Sequence, residues 1–241
     1  MYSSKPMNKR IFKPENAVQK VTLIDVEKCG EAQKNPYLSL HRLSLQNIYS
    51  DGSRSQQYAY DAVLRKWLDA VVIVLLCSIE NRVHVCLRNA IRPPLLIRHH
   101  CALPLPEKRD IWSLWELPAG LIEPADVGEH GIVRRAKIEI LEETGYAVPT
   151  EAISRMKGAP FISAGTIPER LWYVVAEIAD ASDRVDAAGD GCPIEENAEI
   201  QWVELERALA LCDDGAVEDL KTELGIRRIA SSLRLNGEEH E

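Results

Sequence analysis

Three carboxylates, Glu139, Glu142 and Glu143, stand at i, i+3 and i+4 beside an apolar set, Val133, Ala136 and Ile140, at helical spacing. On a helix this confines the acids to about a 100° arc of one face, flanking the buried stripe. A solvated acidic patch is the plain alternative. Against it, the acids fill the last turn before Gly145, where the helix dipole disfavours each negative charge by about 0.3–1 kcal/mol. Like charges four apart add a few tenths of a kcal/mol. A divalent cation held by oxygen ligands offsets that cost.

The acids need a helix over Gly128–Thr144, a sheet for its apolar stripe, and connections around both. Val71–Leu76 and Val83–Leu87, separated by Glu80-Asn81-Arg82, read as a β-hairpin rich in β-branched residues. Further strands are expected at Ser113–Leu117, Leu171–Ile178 and Ile200–Val203, and closing helices at Leu205–Cys212 and Val217 to about Leu233. Residues 92–112 carry Pro93, Pro94, Pro104 and Pro106 and read as a long loop. Its His99-His100-Cys101 run has weak spacing for a metal site. Upstream, Leu38–Leu45 and Tyr58–Val63 flank Asp51-Gly52 and predict a small antiparallel β unit. The expected division is a leader or arm over 1–36, partly disordered, with one strand-like stretch at Val21–Val26; a β unit over 37–68; and a main domain over 69–241.

The 241 residues suit one large domain with a small appendage. With 29 basic against 37 acidic residues and a net charge of −8, no global field draws the chain to nucleic acid or anionic lipid. The apolar run Ala70–Cys77 is far shorter than the ~20 residues of a membrane-spanning helix and reads as a buried strand. Six cysteines without a CxxC pair suit a reducing, cytoplasmic location.

The segment Glu116–Tyr146, ELPAGLIEPADVGEHGIVRRAKIEILEETGY, resembles the signature box of the Nudix hydrolases, G-x5-E-x7-R-E-U-x-E-E-x-G-U with U apolar. Glu139–Tyr146 fits E-U-x-E-E-x-G-U, and Leu117–Glu123 is similar to the opening of the ADP-ribose pyrophosphatase branch. Two departures stand out. Ile138 occupies the arginine position, and Gly120 to Glu139 spans 139 − 120 = 19 residues where the family has 15. Glu129 is the best match to the middle glutamate, and Arg135, four residues before Glu139, could replace the lost arginine as its partner.

The resemblance implies an α+β fold, an α/β/α sandwich with a Nudix-like mixed sheet between helices, plus a small N-terminal antiparallel unit. It also implies Mg²⁺, with Mn²⁺ as the alternative ion, held by Glu139, Glu142, Glu143 and the Ala119 carbonyl. Ile162–Arg170 looks like the loop whose glutamate acts as a general base or helps place the attacking water in this branch, which points to Glu169 beside Glu142 as catalytic. Arg92, in LRNAIRP, and Glu116 match substrate-site positions, and Tyr58 and Trp67, with Tyr49 and Tyr60, are candidates to stack a base. The implied activity is metal-dependent cleavage of ADP-ribose or a nucleotide sugar to nucleoside monophosphate and sugar phosphate by a homodimer. Two alternatives remain: a sensor of nucleotide sugars that has lost catalysis, or a hydrolase of dinucleoside polyphosphates, coenzyme A or oxidised nucleotides.

Overall fold

The computed structural model describes residues 18–29, 37–185, 187 and 198–238. The chain divides into two units after Lys66, with Gly165–Pro168 joining the first. The break falls two residues earlier than the expected 68/69 boundary.

The first unit is a three-stranded antiparallel sheet in the order β1 (Val18–Cys29), β2 (Leu38–Tyr49), β3 (Tyr58–Arg65). The stretch expected at Val21–Val26 is therefore part of a 12-residue strand paired along β2. The leader residues 1–17 and 30–36 lie outside the described residues. Asp51-Gly52 makes the turn: Gly52 takes φ +83° and the Ser53 N–H donates to the Asp51 carboxylate at 2.8 Å. Leu45 lies opposite both Leu23 and Tyr58, and Leu43 opposite Tyr60. Same-face apolar pairs of this kind stabilise two-sided sheets.

The second unit is built on β4 (Ala70–Ile79), β5 (Arg82–Ile91), β6 (Ser113–Glu116), β7 (Ala119–Leu121), β8 (Ile153–Arg155), β9 (Phe161–Ser163), β10 (Ile167–Ile178, from Glu169 onward) and β11 (Ile200–Glu204), with helices α1 (Gly128–Thr144), α2 (Leu205–Asp213) and α3 (Leu220–Glu238). The order is β11-β5-β4-β10-β8, with β6 on β5, β7 on β4 and β9 on β10. Strands β4 and β10 run parallel and β4 and β5 antiparallel, so the sheet is mixed.

The unbroken apolar run of β4 explains its central place: Ala70 through Cys77 are all buried, the pattern of a strand covered on both faces. Val72, Val74 and Leu76 join the core with α2 and α3, whereas Val71, Ile73 and Leu75 meet Ile132, Ala136 and Ile140 of α1. The sheet is thus sandwiched between helices, as expected. Glu80 and Asn81 both take positive φ, 51° and 61°, in the tight β4–β5 turn.

Helix α1 has the expected bounds. Gly145 ends it at φ +76°, its N–H donating to Leu141 O, and a Cβ there would lie 2.0 Å from the Val185 carbonyl oxygen. The proline-rich stretch corrects one expectation: Pro93–His100 form a 3₁₀ helix with proline in the first turn, where the missing N–H would have had no partner anyway. Helix α3 starts at Leu220, later than expected, because Asp219 caps it, accepting from the Thr222 N–H at 3.0 Å and hydroxyl at 2.6 Å. Strands β7, β8 and β9, three residues each, are too short for a periodic signal. Among the described residues no helix is long and apolar enough to cross a membrane.

Candidate active site

Strand β7 lies under the last turns of α1, with Ala119 against Glu143 and Gly120 against Glu139. Ala119 donates its N–H to Glu143 Oε2 at 2.9 Å. The other oxygen, Oε1, accepts from Arg88 Nη1 at 2.5 Å, and both side chains are buried, 6% and 5% exposed. Gly120 abuts Glu139 so closely that a Cβ at 120 would lie 1.8 Å from the carboxylate carbon. The glycine is needed for close approach, not for its φ.

Glu139 also faces Arg135 at 3.7 Å. That arginine is shared: its Nε binds the buried Asp126 at 2.8 Å and its Nη2 reaches Glu123 at 3.1 Å. Asp126 sits in the connection between β7 and α1, with a second arginine, Arg134, at 2.7 Å and the Glu123 N–H at 2.9 Å. That connection is thereby tied to α1. Burial works against the Asp126 charge, but the hydrogen bonds from Arg135 and Arg134 outweigh it and hold the carboxyl below its ordinary 3.8. Arg135 does pair with Glu139, yet its shorter bond goes to Asp126. Arg135→Ala is therefore expected to weaken metal binding only several-fold and to cost about 1–3 kcal/mol of stability through Asp126, read by Mn²⁺ titration and thermal melting. Unchanged metal affinity in that variant would rule out a share for Arg135 in placing Glu139.

Two of the three carboxylates face arginines, Glu143 meeting Arg88 and Glu139 meeting Arg135; among the described residues no group of three acidic, histidine or cysteine side chains is arranged to hold an ion. In kind, the donors suit a hard divalent cation: three carboxylates within one helical turn, set against a β7 backbone that Gly120 leaves unobstructed. Glu129 stands apart. It is 80% exposed in the first turn of α1 and pairs with Arg155 at 2.6 Å.

A second charged group lies at the end of β5. Arg92 grips Glu116 through two bonds, Nε to Oε1 at 2.8 Å and Nη2 to Oε2 at 2.6 Å, and Lys221 of α3 closes on the same carboxylate. Lys221 also meets Asp219 at 2.9 Å. Glu116 is 2% exposed and Arg92 43%. Arg92 thus keeps a partly exposed guanidinium, whereas both Glu116 oxygens accept from Arg92, and Oε2 also from Lys221.

Burial alone would raise the Glu116 pKa, but Arg92 and Lys221 hold it below 4.5. A depressed carboxylate stabilises the fold fully above its ordinary pKa and loses that contribution as pH falls through the native value. Wild-type melting temperature should drop below pH 4.5 from this source. Glu116→Gln, destabilised by about 1–3 kcal/mol at pH 7, should show a flatter acid limb and converge on the wild type, and parallel curves would refute the assignment.

Glu169 is the third residue of β10, not part of a loop. By strand alternation it shares the face of Leu171 and Tyr173, which belong to the α2/α3 core, whereas Trp172 and Val174 face α1. Tyr58 donates to Asn47 Oδ1 at 2.7 Å, and Trp67 is half-buried. Burial pushes the Cys86 thiol up to about 12, so it offers no nucleophile. Sequence reasoning missed Arg88 and Asp126. A signal for Arg88 existed: it falls in the alternating β5 run, where an inward arginine needs a buried anion.

A mixed sheet between helices, with an acid-bearing helix over a glycine-containing strand, defines the class. Residues 79–223, more than half of the chain, match the NUDIX domain, and the chain belongs to the Nudix family of hydrolases. Among solved structures it is similar to an ADP compounds hydrolase, 16% identical, covering 92% of this chain and 99% of that one with a TM-score of 0.63. A Caenorhabditis elegans Ap4A hydrolase, in a binary complex, is 17% identical over 69% of this chain and 98% of its own, at 0.45. The NUDIX domain of Shewanella oneidensis NrtR, complexed with ADP ribose, is 16% identical over 61% and 79%, at 0.36. No curated protein matches by sequence.

Proposed function

We propose that the protein is a metal-dependent pyrophosphohydrolase that cleaves the diphosphate of ADP-ribose or a nucleotide sugar to nucleoside monophosphate and sugar phosphate. The observation that carries this reading is the seating of the α1 carboxylates on β7, with Glu143 bonded to the Ala119 N–H and Glu139 against Gly120. Glu139, Glu142, Glu143 and the Ala119 carbonyl would hold Mg²⁺ or Mn²⁺, which when bound neutralises diphosphate oxygens and lowers the pKa of a water. Of the chain's own groups, Glu169 positions or deprotonates the water, Glu142 acts with it from the helix as a catalytic carboxylate, and Arg92 presents its partly exposed guanidinium to phosphate oxygens.

The test is a panel of ADP-ribose, UDP- and GDP-sugars and diadenosine polyphosphates with Mg²⁺ or Mn²⁺, with and without EDTA. Phosphatase-sensitive product from the first two classes, lost on chelation, supports the reading, whereas no product from any substrate removes it. The arginine-paired carboxylates favour one other reading, a nucleotide-sugar sensor without turnover. Ligand-induced thermal stabilisation with no product would establish that instead.

We also propose a homodimer formed through the N-terminal sheet. Leu23, Tyr58 and Tyr60 are 54%, 38% and 47% exposed on it, and apolar area of that kind favours a covered interface. Light scattering should give twice the 27.0 kDa chain mass, and a monomer at micromolar concentration would end the idea.

A further inference from the structure

We infer that Arg88 is a positioning residue for the metal-binding carboxylate Glu143, supplying from β5 the counter-charge that α1 lacks at Ile138; this rests on the hydrolase reading above. Both partners are more than nine-tenths buried, and Arg88 Nη1 reaches Glu143 Oε1 at 2.5 Å. The Ala119 N–H takes the other oxygen at 2.9 Å, so the carboxylate is fixed at both ends. Arg88 is itself pinned, its strand paired with Ile200 on one side and Glu116 on the other. Its Nε is buried with no hydrogen-bond partner among the described residues. That is a cost a purely structural side chain would have no reason to carry.

Stability does not account for the pair either, since apolar residues of similar volume serve a core at least as well as a buried ion pair. What the arginine gives is orientation. A carboxylate at the end of a helix, beside two other acids, would be pushed outward by their charge; Arg88 draws it back onto β7. Only one guanidinium nitrogen makes the bond, so the position requires a charge more than a fork.

The experiment compares wild type, Arg88→Met, Arg88→Gln and Arg88→Lys by Mn²⁺ titration followed by electron paramagnetic resonance, by thermal melting, and by steady-state kinetics with ADP-ribose. Arg88→Gln keeps a donor to Glu143 and serves if Arg88→Met fails to fold. Met and Gln should weaken Mn²⁺ binding by about 10- to 100-fold and lower kcat, with KM for ADP-ribose changed less than about threefold, and Lys should recover most of the affinity. A folded Met or Gln variant that binds Mn²⁺ like the wild type overturns the inference alone. A wild type that neither binds Mn²⁺ nor hydrolyses any substrate overturns the hydrolase reading, and this inference with it.

Discussion

Glu142→Gln is expected to lower kcat by about 10²- to 10³-fold while leaving the melting temperature near that of the wild type. Glu142 is half-buried and lies between two carboxylates anchored elsewhere, so its amide isostere removes charge and basicity without emptying a packed position. Glu143→Gln should lose as much activity and also unfold more easily. It leaves Arg88, 6% exposed, as a buried cation without its anion, a loss of about 3–5 kcal/mol in comparable pairs. The two variants therefore separate chemistry from scaffold: equal losses of turnover with unequal losses of stability. Full activity in Glu142→Gln would remove this helix from the chemistry.

Much of the architecture was legible because it follows from repeating patterns. The eight apolar residues Ala70–Cys77 could only be a central strand, and the 3.6-residue spacing of Val133, Ala136 and Ile140 fixed which side of α1 meets it. Cap chemistry set boundaries the apolar pattern missed, as when Asp219 moved the start of α3. The prolines of residues 93–100 misled, since they exclude a helix interior but not a first turn.

The acids of the site were legible and their partners were not. Glu139, Glu142 and Glu143 are local in sequence, whereas Arg88 lies 55 residues from Glu143 and Lys221 lies 105 from Glu116. No periodicity encodes such pairings; they follow from sheet register and from where α3 docks. Ile138 announced that a counter-charge was missing from the helix, and the fold supplies it from two directions, Arg88 for Glu143 and, at longer range, Arg135 for Glu139.

Gly120→Ala should have an effect out of proportion to one methyl group. The added Cβ would lie 1.8 Å from Glu139 Cδ and 1.9 Å from its Oε1, so one of the two must move. The backbone of β7 is held by its ladder with β4, Gly120 opposite Val71 and Ala119 opposite Val72, and by the Pro118 carbonyl accepting from the Ile73 N–H at 2.9 Å. The flexible end of Glu139 is the cheaper of the two to displace. The fold should therefore survive with a small change in melting temperature, while the carboxylate swings off its place. A displacement on the order of an ångström at a reacting centre costs about 10²-fold in rate, and here it should appear first as a higher Mg²⁺ requirement, because what moves is a proposed metal ligand and not the proposed substrate contact. The measurement is kcat against Mg²⁺ concentration for Gly120→Ala beside wild type. A variant with the same half-saturating Mg²⁺ and the same kcat would mean that Glu139 does its work from some other position, and that the close approach of β7 to α1 is packing alone.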